Sequence, residues 1–223
     1  IAVLDGTSIS LAKQKGRLSN LEGALKSKSS EGTIGIGHTR WATHGEPSDR
    51  NSHPHKSSKG DIAVVHNGII ENYLELRKWL ISEGYEFFSE TDTEVVPNLI
   101  HYYYEGNLFE AVVKATKKLE GSYALGVVCG DEQDNLIAVR KDSPLIVGLG
   151  NGENFIASDI PAVIKYTRDV YLLDDNEFVV MDRNGVSILS ANGERIDKNI
   201  YKVTWSEDAA EKGGYDSFML KEI

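Results

Sequence analysis

Cysteine is nearly absent from the sequence, which has one, Cys129, in 223 residues. A single cysteine excludes an internal disulfide framework and suits a reducing cytosol. No signal-peptide pattern opens the sequence, and no apolar run is near the ~20 residues that cross a bilayer. Cationic residues are in the minority, because 24 Lys and Arg face 34 Asp and Glu and leave a net charge of -10. We therefore expect a cytoplasmic protein that binds neither nucleic acid nor membrane.

Apolar residues make up 40% of the chain, enough for a sizeable core. Their spacing predicts helices mostly in the first half and short strands, separated by Gly, Asn or Asp turns, in the second. The predicted helices cover residues 19–28, 72–84, 93–104 and 109–119, with a short one near 161–166. The predicted strands cover residues 1–4, 8–11, 32–37, 62–65, 85–88, 122–129, 136–140, 145–148, 154–157, 170–173, 177–181 and 186–189. This order predicts an α+β fold with two packed sheets flanked by helices.

Polar side chains are dense in residues 37–45 (GHTRWATHG), directly after the strand pattern of residues 33–36. Loops on a rigid scaffold are where binding and catalytic groups concentrate, so we interpret this stretch as the wall of a ligand pocket. Residues 64–73 (VVHNGIIENY) and 89–94 (SETDTE) are predicted to form other walls. The irregular stretch 40–60 is long for a compact domain, which also favours a functional loop.

Two charged residues in these stretches have both a structural and a functional interpretation. Arg40 could form a surface ion pair, but its planar guanidinium also suits a carboxylate, which it binds through two parallel hydrogen bonds. Asp92 could cap the helix that follows it; if Thr93 caps that helix instead, Asp92 can face a ligand ammonium. An arginine for a carboxylate and an aspartate for an ammonium would together recognise the head of an α-amino acid.

The pair Asn67-Gly68 also has two interpretations. Asn-Gly after a strand is a strong signal for a type I′ hairpin turn. Residues 71–80 have helical spacing, however, so the pair could instead lie in a strand-to-helix turn. Such a turn could aim a side-chain amide and a backbone N–H at one point, as an oxyanion hole requires. Cys129 lies in an apolar strand pattern that is typical of a buried residue and not of a nucleophile.

Five of the six histidines fall between His38 and His66, so a metal site has to be considered. Diagnostic zinc spacing uses Cys pairs or two His at i and i+4 on a helix, and neither pattern occurs in this region. We therefore predict no metal and no other cofactor. A metal-dependent hydrolase that uses His44, His53, His55 and His66 remains an alternative.

The three pocket stretches, in this order and spacing, resemble the glutaminase domain of the isomerising glutamine-fructose-6-phosphate aminotransferases, which are class II glutamine amidotransferases. Further similarity to that family lies in residues 148–150 (GLG), 154–159 (NFIASD) and 218–223 (FMLKEI). The resemblance implies an N-terminal-nucleophile hydrolase fold, which is a four-layer α/β/β/α sandwich of two antiparallel sheets. It implies a glutaminase domain at residues 1–203 and a linker at 204–223 towards a C-terminal sugar isomerase module.

The same resemblance implies hydrolysis of glutamine to glutamate and ammonia, and use of the ammonia to convert fructose 6-phosphate to glucosamine 6-phosphate. Arg40 would bind the glutamine α-carboxylate and Asp92 its α-ammonium. Asn67 and the Gly68 N–H would form the oxyanion hole. Thr43 and His44 would line the pocket, and Trp41 would gate it near the ammonia route. We expect the full-length enzyme to be a homo-oligomer.

The nucleophile of that family is a cysteine at the mature N-terminus, whose thiolate attacks the amide while its own α-amine shuttles the proton. The present sequence opens at Ile1, inside the family pattern. We therefore expect an upstream strand-and-helix segment that carries the cysteine. Residues 1–223 alone should bind glutamine or glutamate without turning it over. The alternative is a non-catalytic amino-acid-binding module, which an encoded N-terminal residue other than cysteine would favour.

Overall fold

The computed structural model describes residues 1–26, 32–40, 45–60 and 62–205. The helices are α1 (Leu18–Leu25), α2 (Tyr73–Ser82), α3 (Val95–Tyr103) and α4 (Leu108–Thr116), with a short 3-10 helix at Ile160–Ala162. The strands are β1 (Ala2–Asp5), β2 (Ser8–Leu11), β3 (Ile34–Ile36), β4 (His55–Lys56), β5 (Ile62–Ile70), β6 (Gly121–Cys129), β7 (Glu132–Lys141), β8 (Ile146–Leu149), β9 (Asn154–Ala157), β10 (Asp169–Leu172), β11 (Phe178–Asp182), β12 (Gly185–Leu189) and β13 (Tyr201–Lys202). Within these ranges no helix has the length and apolar character that a membrane span requires.

The strands form antiparallel sheets in two layers. One layer is a six-stranded sheet of order β12-β11-β7-β6-β5-β4. The other contains a three-stranded sheet of order β2-β1-β3 and a four-stranded sheet of order β13-β10-β8-β9. The longest ladder pairs β5 with β6, from Ile62 opposite Cys129 to Ile70 opposite Gly121. This ladder fixes the position of the strand that carries Asn67.

Alternation along the central strands divides their side chains between two cores. On β5, Ile62 and Val64 pack towards the helix layer of α2, α3 and α4, whereas Ala63 and Val65 pack towards the second β layer. A strand that is buried on both faces needs apolar residues at every position, which explains the unbroken apolar run in the sequence.

A third core covers the outer face of the four-stranded sheet. It contains Val163 and Ile164, just after the 3-10 helix, together with Val170 on β10 and Val203. The order of layers is thus helices, six-stranded sheet, second β layer, and outer segments. This arrangement agrees with the predicted α+β class.

Several predicted elements differ from the structure. β5 continues to Ile70, five residues past its predicted end, because the ladder with β6 holds it through polar residues. Residues 85–88 are not a strand; Tyr85 instead packs into the helix core, and its hydroxyl lies 2.9 Å from His101 Nδ1. β13 was not predicted, because its two residues are exposed and carry no apolar alternation. The predicted helix near 161–166 is only the short 3-10 turn.

Candidate functional site

A cleft of about 350 Å³ lies where the C-terminal part of β5 meets the segments 38–40 and 91–93. Arg40, Asn67, Gly68 and Asp92 all line this cleft. Three stretches that are far apart in the sequence therefore bring a guanidinium, a carboxamide and a carboxylate to one cavity. The other predicted pocket residues, Trp41, Thr43 and His44, lie outside the described residues.

The Asn67-Gly68 pair forms neither a hairpin turn nor a strand-to-helix turn. Both residues lie inside β5, where Asn67 pairs with Ala124 and Gly68 with Tyr123 on β6. Gly68 has a φ of 124°, and a Cβ added there would collide with the Ser122 carbonyl oxygen. Only glycine tolerates this conformation and close approach. The predicted turns were therefore wrong, and the glycine instead permits a distorted stretch of ladder at the edge of the cleft.

The side chain of Asn67 is held by His38. His38 Nε2 lies 2.7 Å from Asn67 Oδ1, a normal hydrogen-bond distance. The His38 ring also stacks on His53, with ring centroids 4.3 Å apart and planes 19° apart. The carboxamide at the cleft is thus fixed by an imidazole that is itself packed in place.

Asp92 does not cap the following helix. The residue is only 4% exposed, and Oδ2 accepts a hydrogen bond from the Ile70 N–H at 2.8 Å. Among the described residues, this backbone N–H is the one hydrogen-bond donor to the carboxylate. Asp92 is thus tied to the strand that carries Asn67, at the wall of the cleft.

Thr93 is not the helix cap either, so that part of the prediction was wrong. The N-cap position of α3 is Glu94, whose side chain makes no cap hydrogen bond to the helix. Its buried carboxylate instead accepts the N–H groups of Phe88 and Ser89, at 2.8 and 2.7 Å, and the Ser89 hydroxyl at 2.7 Å. These three bonds hold the segment that leads into Asp92, because a carboxylate with several donors orders a turn firmly.

The Arg40 side chain contacts the backbone five and six residues further along the chain. Its guanidinium donates to the carbonyl oxygens of Gly45 at 3.3 Å and Glu46 at 3.4 Å. A guanidinium carries five N–H donors in a planar fork, a geometry that matches the two oxygens of a carboxylate. Arg40 therefore combines a position on the cleft with a link to the loop beyond it.

The buried histidines beneath the cleft form one consistent chain of hydrogen bonds. The His66 backbone N–H donates to His53 Nδ1 at 3.2 Å, so the His53 ring proton is on Nε2, which faces Thr93 Oγ1 at 3.5 Å. His66 Nε2 donates to the Ser122 carbonyl oxygen at 3.4 Å, so its Nδ1 accepts from the Thr93 hydroxyl at 2.8 Å. This assignment requires both imidazoles to be neutral.

Electrostatics favours the same neutral state. Burial lowers the pKa of His38, His53 and His66, and it lowers the pKa of His55 to about 3. Neighbouring positive groups, Arg40 among them, lower the pKa of His55 further. The buried cluster therefore stays uncharged at neutral pH.

The alternative metal site finds little support in this geometry. Within the described residues, no group of three or more His, Cys, Asp or Glu side chains is arranged to hold a metal ion. His53 and His66 use both ring nitrogens in contacts with protein groups, so a zinc ion would have to break those contacts. His44, the fourth candidate ligand, is outside the described residues.

The free energy of unfolding should fall steeply as the pH drops below about 6.5, the ordinary pKa of histidine. In the unfolded chain His55 takes up a proton at that pH, whereas the folded protein resists it down to about pH 3. Stability is thus fully present above pH 6.5 and is lost towards pH 3, at about 1.4 kcal/mol per pH unit for each such histidine. Urea denaturation at pH 7.5, 6 and 5 measures this loss. In His55→Gln the slope of the unfolding free energy against pH should fall by about 1.4 kcal/mol per pH unit, because one fewer proton is taken up on unfolding. An unchanged slope would contradict the lowered pKa of His55.

Comparison with known sequences decides the family. The sequence profile of the family described as "Glutamine amidotransferase domain" matches residues 38–165, more than half of the chain and every residue that lines the cleft. The chain belongs to this glutamine amidotransferase family. The match contains the segments that carry Arg40, Asn67 and Asp92.

The relatives of this amidotransferase domain are longer proteins. It is 66% identical over 223 residues to the glutamine–fructose-6-phosphate aminotransferase (isomerizing) of Clostridium tetani and 64% identical to that of Clostridium perfringens. All of the chain is covered in both comparisons, but it spans only 37% of each relative.

A solved structure confirms the predicted fold class. Glutamine phosphoribosylpyrophosphate amidotransferase from B. subtilis superposes with a TM-score of 0.69, covering 89% of this chain and 43% of that one at 23% identity. At this identity the similarity shows the fold alone. The amidotransferase domain thus has the N-terminal-nucleophile architecture, with two antiparallel β layers between outer layers.

Two residues that support the site were not predicted from sequence. His38 was seen only as part of a polar stretch, and Glu94 only as part of a motif. Their partners, Asn67 and Ser89, are identified by distances in the folded chain. The crowding of histidines before β5 was the one local signal of a buried polar network.

Proposed function

We propose that this amidotransferase domain binds glutamine in the cleft and takes part in hydrolysing its side-chain amide to glutamate and ammonia. The observation that supports this proposal most is the convergence of Arg40, Asn67 and Asp92 on one cavity. A zwitterionic amino acid with a reactive amide needs one group of each kind: a cation, an anion and a neutral hydrogen-bond donor.

The two charged residues orient the substrate. The Arg40 guanidinium binds the α-carboxylate through paired hydrogen bonds, and the buried Asp92 carboxylate binds the α-ammonium. Because these charges come from different segments, only one orientation of the zwitterion satisfies both. We also propose that Thr43 and His44 contact the substrate and that Trp41 gates the pocket; all three lie outside the described residues.

Asn67 and Gly68 act on the reacting amide. As a nucleophile adds to the carbonyl carbon, negative charge develops on the oxygen. The Asn67 side-chain NH₂ and the Gly68 backbone N–H donate to that oxygen, and one such donor typically contributes about 3 kcal/mol of transition-state stabilisation. Their position inside β5 makes the donors rigid, so little reorganisation is needed during the reaction.

The nucleophile is proposed to be an N-terminal cysteine from outside residues 1–223. Cys129 is unsuitable, because it is fully buried on β6 and burial raises the pKa of its thiol. A cavity of about 520 Å³ lies between the edge strands β3 and β9 and is also lined by His38 and Asn67. An extended segment in this cavity could add to either edge and bring a cysteine to the oxyanion donors. Residues 1–223 alone would then bind glutamine without turnover.

The wider reaction follows the names of the relatives. We propose that the ammonia is delivered to a C-terminal sugar isomerase module of the same polypeptide, beyond a linker at residues 204–223. That module would convert fructose 6-phosphate to glucosamine 6-phosphate, as a homo-oligomer. The supporting facts are the high identity and the 37% share of each relative that this chain covers.

The test uses the protein as its gene encodes it, incubated with glutamine. Equal amounts of glutamate and ammonia should appear, and added fructose 6-phosphate should yield glucosamine 6-phosphate. Asparagine, which is one methylene shorter, serves as the control substrate and should react far more slowly. Binding of glutamine without release of glutamate would support the non-catalytic alternative. Loss of activity with a chelator, restored by zinc, would support the metal-dependent alternative.

A further inference from the structure

We infer that His38 is a positioning residue for the oxyanion donor, because its hydrogen bond turns the NH₂ group of Asn67, and not the oxygen, towards the cleft. This inference rests on the proposed hydrolysis of glutamine. The observations that carry it are the 2.7 Å contact between His38 Nε2 and Asn67 Oδ1 and the stacking of His38 on His53.

A carboxamide by itself has no preferred direction in such a site. Its oxygen accepts and its nitrogen donates, and the two ends have nearly the same shape. With the nitrogen towards the cleft, Asn67 stabilises an oxyanion. With the oxygen towards the cleft, it repels one. Some neighbouring group must therefore distinguish the two ends.

The His38 ring makes this distinction through its proton. Nε2–H can donate to Oδ1 but cannot accept from the NH₂ group, so the opposite orientation would place two donors against each other. His38 Nδ1 is buried and has no hydrogen-bond partner among the described residues, so a proton there would have no acceptor. A proton on Nε2 instead forms the hydrogen bond to Asn67 Oδ1. Burial lowers the pKa of His38 and keeps the ring neutral.

The ring is held by the network beneath the cleft. His53, on which it stacks, accepts the His66 N–H at 3.2 Å and faces Thr93 at 3.5 Å. Thr93 is next to Asp92 in the chain, and His66 is next to Asn67. The same buried network therefore supports the carboxylate wall and the amide wall, and His38 is the member that touches the amide.

The experiment is a double-mutant cycle in the full-length protein, with steady-state glutamine hydrolysis as the readout. His38→Leu should lower kcat by about 10-fold to 100-fold and change KM for glutamine by less than about twofold. His38→Gln, whose amide N–H can take the place of Nε2–H, should retain most of the rate. In an Asn67→Ala background, His38→Leu should cause no further loss, because it acts through Asn67.

Two kinetic results would overturn the inference: an equal loss from His38→Leu in both backgrounds, or a change confined to KM. Selective ¹⁵N-asparagine labelling gives a second readout that does not need turnover. The Asn67 side-chain NH₂ signals, assigned by their absence in Asn67→Ala, should shift in His38→Leu and stay near their original position in His38→Gln. Unchanged signals in His38→Leu would also overturn it. A wild-type protein that fails to hydrolyse glutamine would refute the proposed function, whereas these signals would still test His38.

Discussion

Replacing Asn67 with Ala should lower kcat for glutamine hydrolysis by about two to three orders of magnitude and leave KM nearly unchanged. The reason is that the side-chain NH₂ interacts with charge that exists only in the transition state. Initial rates of glutamate release across a range of glutamine concentrations separate the two constants.

Asn72→Ala is the matched control for that substitution. Asn72 lies near the end of the same strand, and its side chain also bridges backbone groups, donating to the Lys118 carbonyl oxygen at 2.9 Å and accepting the Glu120 N–H at 3.1 Å. It does not line the cleft. Asn72→Ala should therefore lower thermal stability without the loss of kcat. An undiminished rate in Asn67→Ala would mean that Asn67 is only a strand residue.

Replacing Asp92 with Asn should raise KM for glutamine by about 100-fold, since loss of one partner of a buried charge pair costs at least about 2 to 3 kcal/mol. The substitution nearly preserves shape, and the Asn oxygen can still accept the Ile70 N–H that Asp92 now accepts at 2.8 Å. The fold should therefore survive while the charge opposite the α-ammonium is lost. Isothermal titration with glutamate gives the same comparison without turnover.

Asp182→Asn is the control for the loss of a carboxylate. Asp182 also accepts a backbone N–H, from Asn184 at 2.7 Å, but it lies outside the cleft. It should leave KM unchanged. Equal affinity in Asp92→Asn and wild type would remove Asp92 from the ammonium-binding role.

These two substitutions separate binding from chemistry within one cavity. Asn67 and Asp92 are linked through β5, because Asp92 accepts the N–H of a residue three positions after Asn67. A shift of β5 would disturb both functions together. A clean division, with one variant altered in kcat and the other in KM, would therefore show that each side chain acts by its own chemistry.

Most of the elements were predictable from local pattern. The apolar stripe of α4 lies in the core against the six-stranded sheet, and each strand predicted after residue 121 is present. The failures fall where local pattern and long-range contact disagree. β5 runs through His66, Asn67 and Gly68 because β6 pairs with it, and no local propensity predicts a strand there.

The candidate site divides in the same way. The density of polar groups around Arg40 and the motifs at Asn67 and Asp92 identified the three walls. From the local pattern alone, Asp92 could also be a helix cap and Asn67 could also lie in a turn. Both alternatives were excluded by partners distant in sequence, the Ile70 N–H and strand β6.

The sequence by itself determined which segments are buried and which stretches carry chemistry, because burial follows the period of apolar residues and polar chemistry stands out against it. The tertiary structure alone decided which of those groups meet. Contacts such as His38 with Asn67, and Glu94 with Ser89, depend on register, on side-chain direction and on the placement of protons among buried imidazoles. These features are set when the layers pack, and the local sequence does not specify them.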